Sequence, residues 1–142
     1  MASPEQNAAT VRELIERVMN QGDIPFADKV LSESYVERNP MPGGTADKAG
    51  AIAMFEMMRE QTPDMRIEIE DVIASDNKVA VRSTIRGTDT RGFMPGMEAT
   101  NEPFAMGAID VFTFDDAGMN TEHYGVYDIA GTMARLGLTP GP

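Results

Sequence analysis

The sequence has no cysteine, no tryptophan and a single histidine in its 142 residues. Without cysteine there is no disulfide, no thiolate nucleophile and no cysteine metal site. One histidine excludes a multi-histidine metal centre within one chain. No loop has the EF-hand spacing, so a metal site here would have to be built from scattered carboxylates. Basic residues are also scarce. Twelve Lys and Arg against 23 Asp and Glu give a formal charge of −11. That balance argues against DNA, RNA and anionic membranes as partners, because binding by counterion release needs a basic surface. No segment approaches the ~18 consecutive apolar residues of a membrane span. The N-terminus has neither a basic start nor an apolar stretch, so secretion is not expected and the cytoplasm is.

What is present suffices for a globule. The apolar fraction is 42%, and at this length one domain over residues 1–142 with a real core is expected. Twelve methionines are an unusual number. Methionine fills irregular gaps and suits adaptable apolar pockets. Core filling is the plain reading; Met54, Met58, Met94, Met97 and Met106 are the ones placed to line a pocket.

Ser3, Pro4 and Gln6 form a helix start, with Ser3 as N-cap and Gln6 closing a capping box. Val11, Leu14, Ile15, Val18 and Met19 then recur at helical spacing up to Gly22, a C-cap. Residues 25–31 read as a second short helix, and 35–40 as a short extended piece ended by Pro40. Thr45 is expected to cap a third helix over residues 46–60 with Ala51, Ile52, Phe55 and Met58 on its apolar face. From Met65 the period changes to two. A strand runs through Ile73, a turn follows at 75–77, and Val79, Val81, Ser83 and Ile85 form one face of the next strand. Residues 87–103 read as a long loop, a natural lid. Residues 104–114 are an apolar strand carrying one charge, Asp110. After a turn at 115–118, a last strand over 119–127 leads to a closing helix over 129–136, stopped by Gly137. The Pro-Gly-Pro end reads as a frayed tail. The order predicts an α+β fold: helices on one face of a curved antiparallel sheet, with a conical pocket at its open end.

Two carboxylates stand out. Asp128 lies beside Val126, Tyr127, Ile129 and Met133, where poor hydration would raise its pKa into a useful range. Aspartate is also a favoured N-cap, and the two roles are compatible. Asp110 shares a face with Met106, Ala108, Phe112 and Phe114. A lone charge there needs a partner or must become neutral; it is a pocket carboxylate, a partner of Arg82, Arg86 or Arg38, or a strand-end surface residue. If the two aspartates lie close, repulsion splits their pKa values into an acid and a base. His123 is either a hydrogen-bonded structural residue or a catalytic one. In a regular strand it faces away from Asp128, so a bulge would be needed to unite them. Tyr35 and Asn39 are candidate donors to a carbonyl or enolate oxygen, or ordinary turn residues before Pro40. Arg38 is a candidate anion ligand or a plain surface arginine. Phe55, Met58, Met94, Met106 and Tyr124 complete the expected substrate-binding surface.

These segments in this order (YVERNP at 35–40, PDMRIEIE at 63–70, VAVRSTIRGT at 79–88, GAIDVF at 107–112, EHYGVYD at 122–128 and RLG at 135–137) resemble the SnoaL-like polyketide cyclase, or ester cyclase, family of the nuclear-transport-factor-two-like fold. The likeness runs from about Asn7 to Leu138. It implies ring closure by intramolecular aldol condensation, without metal or cofactor. It implies a pocket aspartate as proton carrier, falling on Asp128, with Asp110 on the strand facing it. It further implies a hydrophobic small-molecule substrate and a homodimer or homotetramer. Arg38, Asp89 and Asp110 stand where relatives often carry histidine, which points to a retuned activity. Three functions follow. The favoured one is a cofactor-free cyclase or isomerase acting on a hydrophobic carbonyl compound. The second is epoxide opening, with Asp110, Asp128, Arg38, Tyr35 and Asn39 in the roles of two aspartates, a bridging arginine and a water-holding pair. The third is a non-catalytic module that binds hydrophobic ligands.

Overall fold

The computed structural model describes residues 2–138; the Pro-Gly-Pro end lies outside them. The N-terminal capping box forms as read. Gln6 N donates to Ser3 Oγ at 3.1 Å, and Ser3 N donates to Gln6 Oε1 at 2.8 Å. Helix α1, Pro4–Glu13, then widens into a π-helical segment, Leu14–Asn20. Gln21 N closes it by reaching back to Glu16 O at 3.1 Å. Leu14, Ile15, Val18 and Met19 are all buried there. Such a stretch is rare and often marks a functional region; here it walls the cavity described below.

Helix α2 spans Ile24–Val30, and Leu31 already opens a strand, β1, Leu31–Glu37. Sequence periodicity could not reveal β1's start, because Ser32, Glu33 and Ser34 are polar and the strand sits at a sheet edge. Helix α3 is Lys48–Gln61. Its cap is Asp47, not Thr45: Gly50 N donates to Asp47 Oδ1 at 2.9 Å, and Thr45 Oγ1 supports the same oxygen at 2.6 Å. Position 50 must be glycine, since a Cβ would sit 2.0 Å from Thr45 O.

Strands β2 (Arg66–Ser75), β3 (Lys78–Thr88), β4 (Pro103–Phe114) and β5 (Asn120–Tyr127) follow, and helix α4, Ile129–Arg135, closes the described chain. The sheet order is β1-β5-β4-β3-β2. The last four strands form the expected antiparallel meander; β1 joins β5 in parallel, which makes the sheet mixed. A bulge between Ile69 and Asp71 keeps Val72 and Ala74 turned to the core while Ile73 is left exposed. The outer face of β2 and β3 is zipped by Arg82–Asp71, Thr84–Glu70 and Arg86–Glu68. The core lies between the inner sheet face and the helices, with Val11, Val18, Val79 and Val81 fully buried. Among the described residues no helix is long and apolar enough to cross a membrane.

Candidate active site

Period-two alternation sends one set of residues from each central strand to the inner face. On β4 these are Ala108, Asp110 and Phe112; on β5 they are His123, Gly125 and Tyr127. Register places Asp110 opposite Gly125 and Phe112 opposite His123. The missing side chain at Gly125 leaves room for both neighbours. A Cβ there would come within 2.7 Å of Asp110 Oδ1 and 2.6 Å of the Tyr127 hydroxyl. From the edge, β1 sends in Tyr35 and Glu37, two residues apart on one face, and Glu37 pairs with His123 in register.

The result is a carboxylate–imidazole–carboxylate arrangement. His123 Nδ1 lies 2.8 and 2.9 Å from the two oxygens of Glu37, and Nε2 lies 2.7 Å from Asp110 Oδ1. The Tyr35 hydroxyl donates to Glu37 at 3.0 Å, and that of Tyr127 to Asp110 Oδ1 at 3.3 Å. Asn39 N donates to Glu37 Oε2 at 3.1 Å. The ring of His123 packs against Phe112, 5.0 Å between centroids. Side-chain exposure is 3% for Glu37, 10% for His123 and 15% for Asp110.

Burial is the largest influence on the His123 imidazole and acts to lower its pKa. The hydrogen bonds and charges of Asp110 and Glu37 together outweigh it, and the pKa rises to about 9. At neutral pH the ring is therefore a cation donating from both nitrogens. Burial likewise works against the Glu37 carboxylate, but His123, Asn39 and Tyr35 hold it below the usual range. Tyr35 and Tyr127 are pushed well above the usual phenol range, first by burial and then by the neighbouring carboxylates, so both stay neutral donors. No grouping of three or more His, Asp or Glu among the described residues has the disposition of a metal site.

This cluster forms the polar end of a cavity of about 70 Å³. The remaining walls come from the π-helical segment (Leu14, Ile15, Met19) and from α3 (Met54, Phe55, Met58). Small-molecule sites commonly measure ~300–1,000 Å³; the cavity as it stands holds a single ring, or the reacting end of a larger molecule.

Of the expected site residues, Asp110, His123, Tyr35, Phe55 and Met58 line the cavity. Others lie elsewhere. Asp128 is not in a poorly hydrated place: its side chain is 51% exposed, and it caps α4 by accepting from Gly131 N at 3.0 Å. The strand stays regular from His123 to Tyr127, so no bulge turns Asp128 inward. Its backbone N–H donates to Gly107 O, three residues along β4 from Asp110 and on the order of 10 Å away. The carboxylate that faces Asp110 across the imidazole is Glu37 instead. Arg38 points outward, 53% exposed, and pairs with Glu122 at 2.6 Å. Asn39 spends its side-chain oxygen on Gly125 N at 3.1 Å, tying the end of β1 to β5. Tyr124 faces the outer side of the sheet, and Met94 sits on the 89–102 loop, 41% exposed. Met106 packs against the core without reaching the cavity.

The loop is no lid over this cavity, because none of its residues lines it. It is organised by Asp89, whose carboxylate accepts from Gly92 N, Thr100 N and Thr100 Oγ1, each at 2.9 Å. Reading the sequence missed Glu37 and Tyr127. Both had a signal, since each lies at even spacing from a recognised inward residue, Tyr35 and His123.

A curved sheet under helices, with a mainly apolar cavity and a buried acid–base cluster at one end, defines an α+β cone of the nuclear-transport-factor-two-like kind. The chain belongs to the SnoaL-like polyketide cyclase family, whose profile matches residues 9–136. No curated protein matches it. Among solved structures it is similar to IdmH of Streptomyces antibioticus, named as a candidate polyketide cyclase. Identity is 26%, coverage is 94% of this chain and 99% of that one, and the TM-score is 0.80. TsrD of Streptomyces laurentii shares the fold at 22% identity, 96% and 98% coverage and a TM-score of 0.83. AclR of Streptomyces galilaeus, named as a candidate hydroxylase, shares it at 23% identity, 97% and 100% coverage and a TM-score of 0.79.

Proposed function

We propose that this protein is a cofactor-independent enzyme performing acid–base chemistry, aldol-type cyclisation or isomerisation, on a hydrophobic carbonyl compound. The observation that carries this is Asp110. It sits at the end of an apolar cavity with Oδ1 bonded to His123 and Tyr127, while Oδ2 takes no hydrogen bond from the described residues. That free oxygen is the base. It takes a proton from the carbon beside a carbonyl, and the electron pair moves onto the carbonyl oxygen. Tyr127, whose bond to Asp110 is the longest in the cluster, turns its hydroxyl to that oxygen. The enolate carbon then attacks a second carbonyl of the same molecule. The new alkoxide recovers the proton from Asp110, so nothing is gained or lost overall. In the isomerase variant the proton returns to another carbon.

The family and the naming of IdmH support a polyketide-like substrate. A polycyclic one needs a wider cavity, and α3 is the wall suited to yield, with Ala51 its only buried residue. Epoxide opening loses support, because Arg38 pairs with Glu122 and bridges no aspartate. A cytoplasmic homodimer or homotetramer belongs to the same proposal: Ile109, Tyr124 and Val126 leave an apolar patch on the outer sheet face, and mass in solution tests it.

The test is turnover by wild type and Asp110→Asn of a polyaromatic keto-ester, a 3-ketosteroid and a terpene epoxide. Loss of turnover in a folded variant that still binds ligand supports the reading. Tight binding without turnover by wild type would replace it with the binding-module reading.

A further inference from the structure

Glu37 touches no atom that the proposed chemistry transforms, yet its carboxylate accepts from His123, Tyr35 and Asn39 N, where that of Asp110 accepts only from His123 and Tyr127. Both its oxygens lie within 2.9 Å of His123 Nδ1, Tyr35 donates to one and Asn39 N to the other. Its backbone is pinned as well, with Glu37 N donating to Ala46 O at 2.9 Å. At 3% side-chain exposure it is cut off from water. A carboxylate buried with three donors converging on it is fixed in one orientation, and it fixes the imidazole in turn. The ring has two nitrogens and two carboxylates to satisfy, so turning it over gains nothing and moving it breaks both bonds.

We propose that Glu37 is the positioning residue of this site: it holds the His123 ring with Nε2–H aimed at Asp110 Oδ1, so that Oδ2 alone remains to accept a substrate proton. This rests on the reading of Asp110 as base and adds the device that gives its two oxygens different jobs. The titratable groups facing His123 are Glu37 and Tyr35 from β1, Asp110 from β4 and Tyr127 from β5; Phe112 covers the ring face. Of these, Glu37 and Asp110 carry the charges that keep both nitrogens protonated.

The lone histidine makes the test unambiguous, since its ring gives a single set of NMR signals. In wild type the ring should titrate near 9 with both nitrogens protonated at pH 7. Glu37→Gln keeps the size and a hydrogen-bonding oxygen but removes the charge. It should lower the midpoint by at least ~10-fold in acidity, one unit, with the fold intact by circular dichroism. An unchanged midpoint in folded Glu37→Gln, or a wild-type midpoint near 6.5, would overturn the proposal. Should Glu37→Gln fail to fold, Asp110→Asn reads the same geometry from the other side. In that variant the Nδ1–H of the protonated ring should still be held by Glu37 and give a slowly exchanging proton signal; a Nδ1–H that exchanges freely with water overturns the proposal. No substrate enters these titrations, so their failure leaves the role of Asp110 standing, and loss of that role in turnover leaves the titrations standing.

Discussion

Asp110 and Asp128 carry the same carboxylate into opposite surroundings. Asp110 lies in the middle of β4 on the inner face, 15% exposed, bonded to a cationic imidazole and a phenol. Asp128 lies just past the end of β5, 51% exposed, bonded to the first turn of α4 and 3.5 Å from Arg135. The first is held in place by others, and in the proposed reaction it is the group that moves the proton. The second holds a helix end in place. Side-chain identity does not separate them; strand phase and hydration do. One position of phase decides whether a strand carboxylate meets the core or the solvent.

The comparison breaks most sharply on activity. Asp110→Asn should lower turnover ~10²–10⁴-fold, the usual contribution of a general base. Asp128→Asn should leave turnover at the wild-type level, since an amide oxygen still caps. Steady-state kinetics of the pair decides it; equal losses would erase the distinction.

The next largest effect is on stability against pH. His123 has its pKa raised from 6.5 to about 9 on folding. Its contribution is fully present below about 6.5 and is lost as pH climbs through about 9, roughly 3 kcal/mol in all. Urea unfolding at pH 6, 8 and 10 should trace that fall. Glu37 has the opposite sign. Its lowered pKa contributes above the ordinary 4.5 and is lost as pH drops through the folded value. Both describe one buried interaction, so the two terms are not summed.

A smaller effect sharpens the structural half. Asp128→Ala removes the α4 cap and should cost about 1 kcal/mol, read as a shift of the urea midpoint at constant slope. Smallest is Arg38→Ala. Its pair with Glu122 is half exposed and screened, worth roughly 0–1 kcal/mol, so stability and turnover should both stay near wild type. A large loss of turnover there would return Arg38 to the site.

Much of the fold was legible. The capping box at Ser3, the meander of four strands and the terminal helix all rest on local signals: a cap, a period of two, turn residues between apolar runs. Part of the site was legible for the same reason. The phase of β4 points Asp110 inward with Phe112, and that of β5 separates His123 from Asp128. The assignment of Asp128 to a dry pocket failed because apolar neighbours in sequence are not neighbours in space; Val126 and Tyr127 leave it at a strand end open to water. Asp47 displaced Thr45 as cap because its carboxylate accepts from Gly50 N, while the Thr45 hydroxyl donates to that carboxylate instead of to the helix.

By itself the sequence determined most of the elements, the phase of the central strands and the inventory: one imidazole, no thiol, an excess of acid. Tertiary structure alone decided which groups meet. Glu37 and His123 stand 86 residues apart, and only the parallel pairing of β1 with β5 joins them. Periodicity is written in neighbours along the chain, whereas burial, partner and charge state depend on groups brought together across the sheet.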